Sequence, residues 1–167
     1  MHVIQDPELL AEVRAGDDVL LERCANESIR VAQRSITLRE VLRPVEVEDE
    51  QRSYRLGPGT MLTTMLSVTN TSAAPGLDRF DPAHYDGRRL VGDVPLATKE
   101  LVSTFGHGPH ACPAARFSIS AIRTAVRRLV ETYDFEPRFR TPAVRRRQIG
   151  GVARAERPLR VRYRARG

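Results

Sequence analysis

Ten residues indicate the fold of this chain more strongly than any others: Phe105-Gly106-His107-Gly108-Pro109-His110-Ala111-Cys112-Pro113-Ala114. Glycines punctuate this stretch as they do a loop, and a helical pattern follows it. The loop therefore places one thiol, that of Cys112, where a helix begins. A helix N-terminus carries partial positive charge and unpaired N–H groups, which favour the thiolate form of cysteine. Thiolate is the form that ligates metal ions.

The same loop resembles the cysteine loop of the cytochrome P-450 family, whose pattern is Phe-x-x-Gly-x-(Arg/His)-x-Cys-x-(Gly/Ala). The residues that carry the resemblance are Phe105, Gly106, Gly108, His110, Cys112 and Ala114. A lone cysteine in a turn is more often a buried core thiol, but that interpretation does not explain the surrounding pattern. The resemblance implies that the loop binds haem, that Cys112 is the iron ligand, and that His110 binds a haem propionate. It also implies that Phe105 packs beside the thiolate.

A second motif lies in a predicted helix, where Glu27-Ser28-Ile29-Arg30 stands 85 residues before Cys112. Side chains three residues apart are neighbours on a helix surface, so Glu27 and Arg30 can form a hydrogen-bonded ion pair. By itself this pattern usually marks a solvated face. In this position it resembles the Glu-x-x-Arg of the family's K helix, a structural pair behind the haem. His84 stands where the family adds a third group to the pair; the alternative is an exposed loop histidine.

Arg39 ends a short predicted strand that begins at Ser35. It stands where the sterol 14-demethylase and cholesterol 7-alpha-hydroxylase branches of the family carry an arginine that pairs with a propionate. The alternative is an ordinary surface arginine. The resemblance also makes residues 35–38 candidate substrate contacts. This region and the C-terminal Arg-Tyr-Arg resemble the sterol- and prostanoid-metabolising branches, including prostacyclin synthase, which implies a small apolar substrate such as a sterol or another lipid.

The expected fold class is α+β, the C-terminal portion of the cytochrome P-450 fold. Helices are predicted over 2–14, 19–33 and 112–132, a hairpin over 45–56, a strand over 60–66 and one short helical turn within 68–74. The core face of the last helix is predicted to carry Phe117, Ala121, Ala125, Leu129 and Tyr133. A terminal hairpin is expected to have Gly150 and Gly151 at its tip. The expected domain organisation is a single partial haem-binding region over 1–167. Its parts are 1–40 (J and K helices and first strand), 41–74 (hairpins), 75–104 (meander and loop), 105–131 (cysteine loop and L helix) and 132–167 (terminal hairpins).

Charge is distributed unevenly along the chain. Residues 1–50 contain 6 arginines and 12 acidic residues, whereas residues 101–167 contain 15 arginines and 4 acidic residues. Such a basic third can bind nucleic acid or an acidic protein. Nucleic-acid binding does not account for the cysteine loop, so it ranks last. The resemblance implies an acidic electron donor, a ferredoxin or a flavin reductase, that docks on a cationic patch; the alternative is that these arginines form an ordinary solvated face. No stretch of about 18 apolar residues predicts a membrane span, and two cysteines without a signal peptide indicate the cytoplasm.

The family's I helix, with its (Ala/Gly)-Gly-x-x-Thr motif, has no counterpart in the sequence. That helix forms the distal wall of the haem pocket and relays protons to oxygen. We therefore expect a haem-thiolate monooxygenase region present as an incomplete C-terminal fragment that is inactive alone. Its N-terminal part is either lost to a late start of the sequence or supplied by a second, missing N-terminal polypeptide. The main alternative is a non-catalytic haem-binding or remnant protein.

Overall fold

A computed structural model describes residues 2–49, 51–86, 90, 95–140, 144–145 and 147–167. Within these residues it contains five α-helices, three short 3-10 helices and three separate two-stranded antiparallel sheets. The predicted α+β class is confirmed. No helix in the described ranges has both the length and the apolar composition to cross a bilayer.

Five α-helices carry the packing of the chain. Their bounds are α1 His2–Gln5, α2 Pro7–Arg14, α3 Asp18–Ala32, α4 Leu66–Ser72 and α5 Ala115–Thr132. Aspartates cap α2 and α3: the carboxylate of Asp6 accepts two backbone N–H bonds of 3.1 Å, and that of Asp17 accepts one of 2.8 Å. The cap at Asp6 divides the helix predicted over 2–14 into α1 and α2. An aspartate oxygen favours a helix start at each place because it satisfies N–H groups that the first turn leaves unpaired. The turn predicted within 68–74 is a longer helix, α4.

Each sheet is a single antiparallel pair. The strands are β1 Ile36–Glu40, β2 Val45–Glu48, β3 Ser53–Leu56, β4 Met61–Met65, β5 Tyr133–Pro137 and β6 Val161–Ala165. β1 pairs with β4, β2 with β3, and β5 with β6. The β2–β3 hairpin is therefore confirmed.

Gly150 and Gly151 lie between antiparallel partners, as expected for a hairpin tip: Val144 forms an antiparallel bridge with Ala155, and the Arg145 N–H donates to the Arg154 carbonyl at 3.0 Å. The last strand, β6, belongs to a different pair and bonds to β5 directly after α5. Gly150 and Gly151 lie in a turn bonded to the end of α3, where the Gly150 N–H donates to the Arg34 carbonyl at 2.7 Å and the Arg34 N–H to the Gly151 carbonyl at 2.9 Å. Strand alternation marks a strand but does not identify its partner, which here is the strand that α5 places alongside.

The apolar core joins α1, α2, α3 and α5. Its buried members are Val3, Val13, Leu21, Cys24 and Val130. The predicted core face of α5 is wrong: Phe117 is 76% exposed and Leu129 49% exposed, whereas Ile119 and Val130 are buried. The helix has two apolar stripes, and the buried one faces α2 and α3. The arginines beside it bond to two carboxylates of α3 and to one backbone carbonyl of α2.

Two of the α5 arginines hold this packing in place. Arg127 donates to Asp18 Oδ1 at 2.7 and 3.0 Å and to the Val13 carbonyl at 2.9 Å. Arg123 lies 3.0 Å from a carboxylate oxygen of Glu22 and 3.2 Å from one of Asp18. Part of the positive charge of the C-terminal third therefore forms ion pairs with carboxylates of α3.

Candidate functional site: the cysteine loop and the network behind it

The cysteine loop, residues 105–114, is closed by its own backbone. The Cys112 N–H donates to the Phe105 carbonyl at 2.6 Å, which brings the two ends of the loop together. Inside it, a 3-10 turn spans Gly108–His110, with a 3.1 Å bond from the Ala111 N–H to the Gly108 carbonyl. The loop therefore has a defined shape that ends at the Cys112 thiol.

Gly106 is the position at which this shape admits no side chain. Its φ is +78°, which glycine adopts without strain, and a Cβ atom there would lie 2.5 Å from the His110 carbonyl oxygen. Gly108 also has positive φ, 55°, but a Cβ there would meet open space. Of these two loop glycines, Gly106 is required by close packing as well as by backbone conformation.

Cys112 lies before α5 and not within it, which corrects the predicted start of that helix. The helix begins at Ala115, with Ala114 as its N-cap, and the Ala115 N–H donates to the Cys112 carbonyl at 3.2 Å. Pro113 explains the offset, because the residue before a proline is disfavoured in helical conformation. The thiol is presented on an exposed turn in front of the helix.

The other cysteine contrasts with it. Cys24 is 2% exposed in the apolar core, and burial raises the pKa of its thiol to about 11. A buried thiol of high pKa remains protonated and unreactive near neutral pH. Cys112 is therefore the thiol that the fold offers to a ligand.

Behind the loop, Glu27 and Arg30 form a fully buried pair, both with 0% exposure. Arg30 Nε donates to Glu27 Oε2 at 2.7 Å and Nη2 to Oε1 at 2.5 Å, a bidentate geometry. Glu27 Oε1 also accepts the Asp81 N–H at 2.9 Å and lies 3.0 Å from His84 Nδ1. The structure thus brings together all three residues that the sequence motifs select.

The remaining donors of Arg30 bind backbone carbonyls on the segment after β4. Nη1 donates to the carbonyls of Asn70 and Leu77, the latter at 2.7 Å, and Nη2 donates to that of Arg79 at 2.9 Å. A guanidinium has five N–H donors, so every one of them is bonded. We call Glu27, Arg30 and these partners the Glu27–Arg30 network. It joins α3 to the meander.

The two residues predicted to bind propionates are both on the surface. Arg39 is exposed on β1, where its guanidinium donates to the Leu38 carbonyl at 2.8 Å. His110 is exposed on the 3-10 turn of the cysteine loop. No acidic side chain pairs with either among the described residues, so both polar ends are open to an anionic ligand.

Sequence reasoning missed Asn70 and Ser103, which among the described residues are the buried polar side chains outside the Glu27–Arg30 pair, at 0% and 6% exposure. Asn70 lies in α4, and Ser103 lies two residues before the loop. A single asparagine in a polar, β-branched run has no spacing that marks it. The one available signal was that Asn70 lies between the strand predicted over 60–66 and the meander that begins at residue 75.

The donor set of the described residues suits one kind of metal group. No three His, Cys, Asp or Glu side chains cluster there as ligands of a bare ion would. A single exposed thiol on a fixed loop fits a metal whose other ligands come with a cofactor. Haem iron meets that condition, because its porphyrin supplies four nitrogen ligands and the protein an axial one.

Comparison with known proteins supports the same interpretation of the loop. Residues 18–162 match the cytochrome P-450 family profile. The chain is 29% identical over 126 residues to 25-hydroxycholesterol 7-alpha-hydroxylase of Rattus norvegicus, covering 71% of this chain and 30% of that protein. It is 30% identical over 166 residues to cytochrome P-450 monooxygenase hepE of Aspergillus oryzae, covering 90% and 28%. Bicoumarin synthase desC of Aspergillus desertorum is 29% identical over 125 residues, covering 70% and 23%.

The crystal structure of a cytochrome P-450 matches with a TM-score of 0.77 and 17% identity, covering 99% of this chain and 41% of that one. At that identity the likeness shows the fold alone. The chain spans 23–30% of the length of the three curated relatives named above. Since the family profile covers most of the 167 residues, the chain belongs to the cytochrome P-450 family.

Proposed function

We propose that this chain forms the thiolate-bearing side of a haem-thiolate monooxygenase, with Cys112 as the iron ligand. The observation that carries the proposal is the exposed thiol of Cys112 at the end of a closed loop with the family's sequence pattern. When bound, haem supplies the iron at which oxygen is activated for insertion into a C–H bond. Family membership supports this reaction class.

The residues of the chain have distinct tasks in this proposal. Cys112 would hold the haem iron, and the close packing at Gly106 fixes the loop that presents the sulfur. Backbone N–H groups near a ligating sulfur tune the metal, as outer contacts generally do. Arg39 and His110 bind the propionates, which their exposed polar ends support. Glu27 and Arg30 hold the segments behind the loop and touch no reacting atom.

We further propose that the distal side of the haem comes from residues outside this chain. A buried porphyrin needs apolar cover on both faces, and the sequence contains no distal relay motif. Exposed apolar side chains support the proposal: Phe117 on α5 is 76% exposed and Leu38 on β1 50%. Oxygen insertion is therefore a property of the completed protein, and turnover of a lipid by this chain alone would refute this part.

The proposed substrate is a small apolar molecule of the sterol or lipid class. The name of the rat relative, 25-hydroxycholesterol 7-alpha-hydroxylase, supports it, as do the exposed apolar residues Ile36 and Leu38, which share one face of β1. Electrons would come from an acidic ferredoxin or flavin domain, supported by the exposed Arg116 and Arg128 on α5. The two free thiols support a reducing, cytoplasmic setting.

The test is a set of carbon-monoxide difference spectra on reduced, haem-loaded protein. Thiolate donates strongly to iron, so the parent should show the far red-shifted Soret band that marks this ligation. Cys112→Ser should abolish the band, because a hydroxyl is a much poorer ligand. Cys24→Ser is the matched control and should retain it, since that thiol is 2% exposed in the core. Retention of the band by Cys112→Ser would refute the proposal.

A further inference from the structure

Asn70 is a buried side chain to which the proposed function assigns no task. Its amide is fully engaged: Nδ2 donates to the Ser103 carbonyl at 2.8 Å and to the Arg30 carbonyl at 3.2 Å, and Oδ1 accepts the Ser103 N–H at 2.8 Å. Asn70 has 0% exposure, so water offers no substitute for these partners. Its orientation is therefore fixed by two other parts of the chain.

One of those parts is the Glu27–Arg30 network. Arg30 Nη1 donates to the Asn70 carbonyl, while the Asn70 side chain donates back to the Arg30 carbonyl. Each residue thus binds the backbone of the other with its side chain. Bonds from a charged donor are stronger than neutral ones, so the position of Asn70 follows that of the buried guanidinium.

The other part leads into the cysteine loop. Asn70 pairs with both the N–H and the carbonyl of Ser103, and the Ser103 Oγ accepts the Gly106 N–H at 3.0 Å. Gly106 in turn leaves no room for a Cβ beside the His110 carbonyl. A continuous series of bonds therefore runs from Arg30 through Asn70 and Ser103 to the base of the loop.

We propose that Asn70 is the positioning residue of the cysteine loop, transmitting the fixed position of Arg30 through Ser103 to Gly106. The inference rests on the proposed function only in taking this loop as the one that presents Cys112 to iron. An asparagine is required, because one side chain must donate twice and accept once at the same place. A weaker contact lies beside it, the 3.2 Å bond from Gln33 Nε2 to the Thr104 carbonyl, which makes no two-point pairing.

The test is backbone amide hydrogen exchange of the whole chain, followed residue by residue by NMR. Asn70→Asp keeps the acceptor but removes both donors, and Ser103→Ala removes only the acceptor for Gly106. We expect exchange at Gly106 to rise about tenfold or more in both variants, the size of one or two lost hydrogen bonds. Ser103 itself should lose protection only in Asn70→Asp, because the carboxylate oxygen that replaces Nδ2 repels the Ser103 carbonyl oxygen and opens the pair. Thr71→Val, which removes a hydroxyl bonded inside α4 at 2.8 Å, is the matched control.

A rise in exchange confined to Gly106 and Ser103 separates positioning from general destabilisation, because general destabilisation would raise exchange equally at Val130 in the apolar core. Unchanged exchange at Gly106 in both variants, or a uniform rise across the chain, overturns the inference. If Asn70→Asp does not fold, Ser103→Ala alone decides, since a Gly106 amide that stays protected breaks the proposed series.

A spectroscopic measurement separates this inference from the proposed function. In haem-loaded Asn70→Asp, we expect a smaller share of the red-shifted carbon-monoxide band at equal bound haem, and an unchanged share in Thr71→Val. An unchanged share in Asn70→Asp overturns the positioning role while leaving Cys112 as ligand. Loss of the proposed function shows instead as a band that survives Cys112→Ser.

Discussion

Removing Arg30 should destabilise the chain more than any change at a surface arginine. In Arg30→Ala the Glu27 carboxylate loses two of its four hydrogen bonds, and three backbone carbonyls lose a charged donor. Breaking one partner out of a buried pair costs about 3–5 kcal/mol. A domain of this kind has a free energy of unfolding of about 5–15 kcal/mol, so the change removes a large share of it.

Urea unfolding followed by far-ultraviolet circular dichroism measures this loss, since the chain has no tryptophan. With a slope of about 2 kcal/mol per molar, a loss of about 4 kcal/mol lowers the midpoint by about 2 M. Arg30→Lys should recover only part of the loss, because an ammonium has three donors and cannot form the bidentate pair. Arg23→Ala is the control, because Arg23 lies on the same helix as Arg30. Its ion pair with Asp86 is partly exposed and contributes about 0–1 kcal/mol.

A double variant decides between an isolated pair and a network. Replacing an isolated buried pair by apolar residues is often neutral. Glu27→Leu combined with Arg30→Met should instead remain destabilised, because the buried carbonyls of Asn70 and Leu77 lose their donor, at about 1–3 kcal/mol each. A double variant as stable as the parent, or an Arg30→Ala midpoint equal to that of the Arg23→Ala control, would refute the reasoning.

Three further changes test other parts of the structure. Gly106→Ala should lower the melting temperature more than Gly108→Ala, because both have positive φ but only at Gly106 would a Cβ meet backbone, at 2.5 Å; equal effects would contradict the close packing. Phe117→Ala should change the free energy of unfolding by no more than about 0.5 kcal/mol and Ile119→Ala by about 2–5 kcal/mol, and a reversed order in urea unfolding would mean that α5 buries its other face. A hydrogen bond from an arginine of β6 lowers the pKa of Asp134 below its ordinary 3.8, so its ion pairs stabilise the chain above that pH and are lost as pH falls through the lower folded-state pKa. Asp134→Asn should therefore lower the melting temperature at neutral pH but not in strong acid, and an equal loss at both would exclude the ion pairs as its cause.

Local signals in the sequence are enough to predict the elements around the site. Asp6 before Pro7 marks the start of α2, and three-residue spacing brings Glu27 and Arg30 together on α3. The alternation over residues 45–56 predicts the β2–β3 hairpin. Each of these features depends on residues within one or two turns of each other, so their geometry follows from chemistry that the sequence displays directly.

The rest of the site depends on contacts that leave no such trace. Arg30 binds carbonyls 40 to 49 residues away, and every residue has a carbonyl, so no residue type marks those acceptors. For α5, two apolar stripes satisfy the helical period, and the choice between them depends on carboxylates of α3, where Asp18 and Glu22 meet Arg123. The sequence pattern predicts that α5 has a buried face, but tertiary packing selects which.

The apolar core and the region behind the cysteine loop are therefore stabilised by different forces. Around Val13, Leu21 and Val130 the helices meet through apolar contacts, which are non-directional and tolerate small shifts. Behind the cysteine loop, the buried side chains include the polar Arg30 and Asn70 as well as the apolar Leu77, and hydrogen bonds fix the distances and angles of the polar ones. A thiolate that must meet iron at one place needs positional accuracy more than burial. A directional network behind the loop provides that accuracy where an apolar cluster would not.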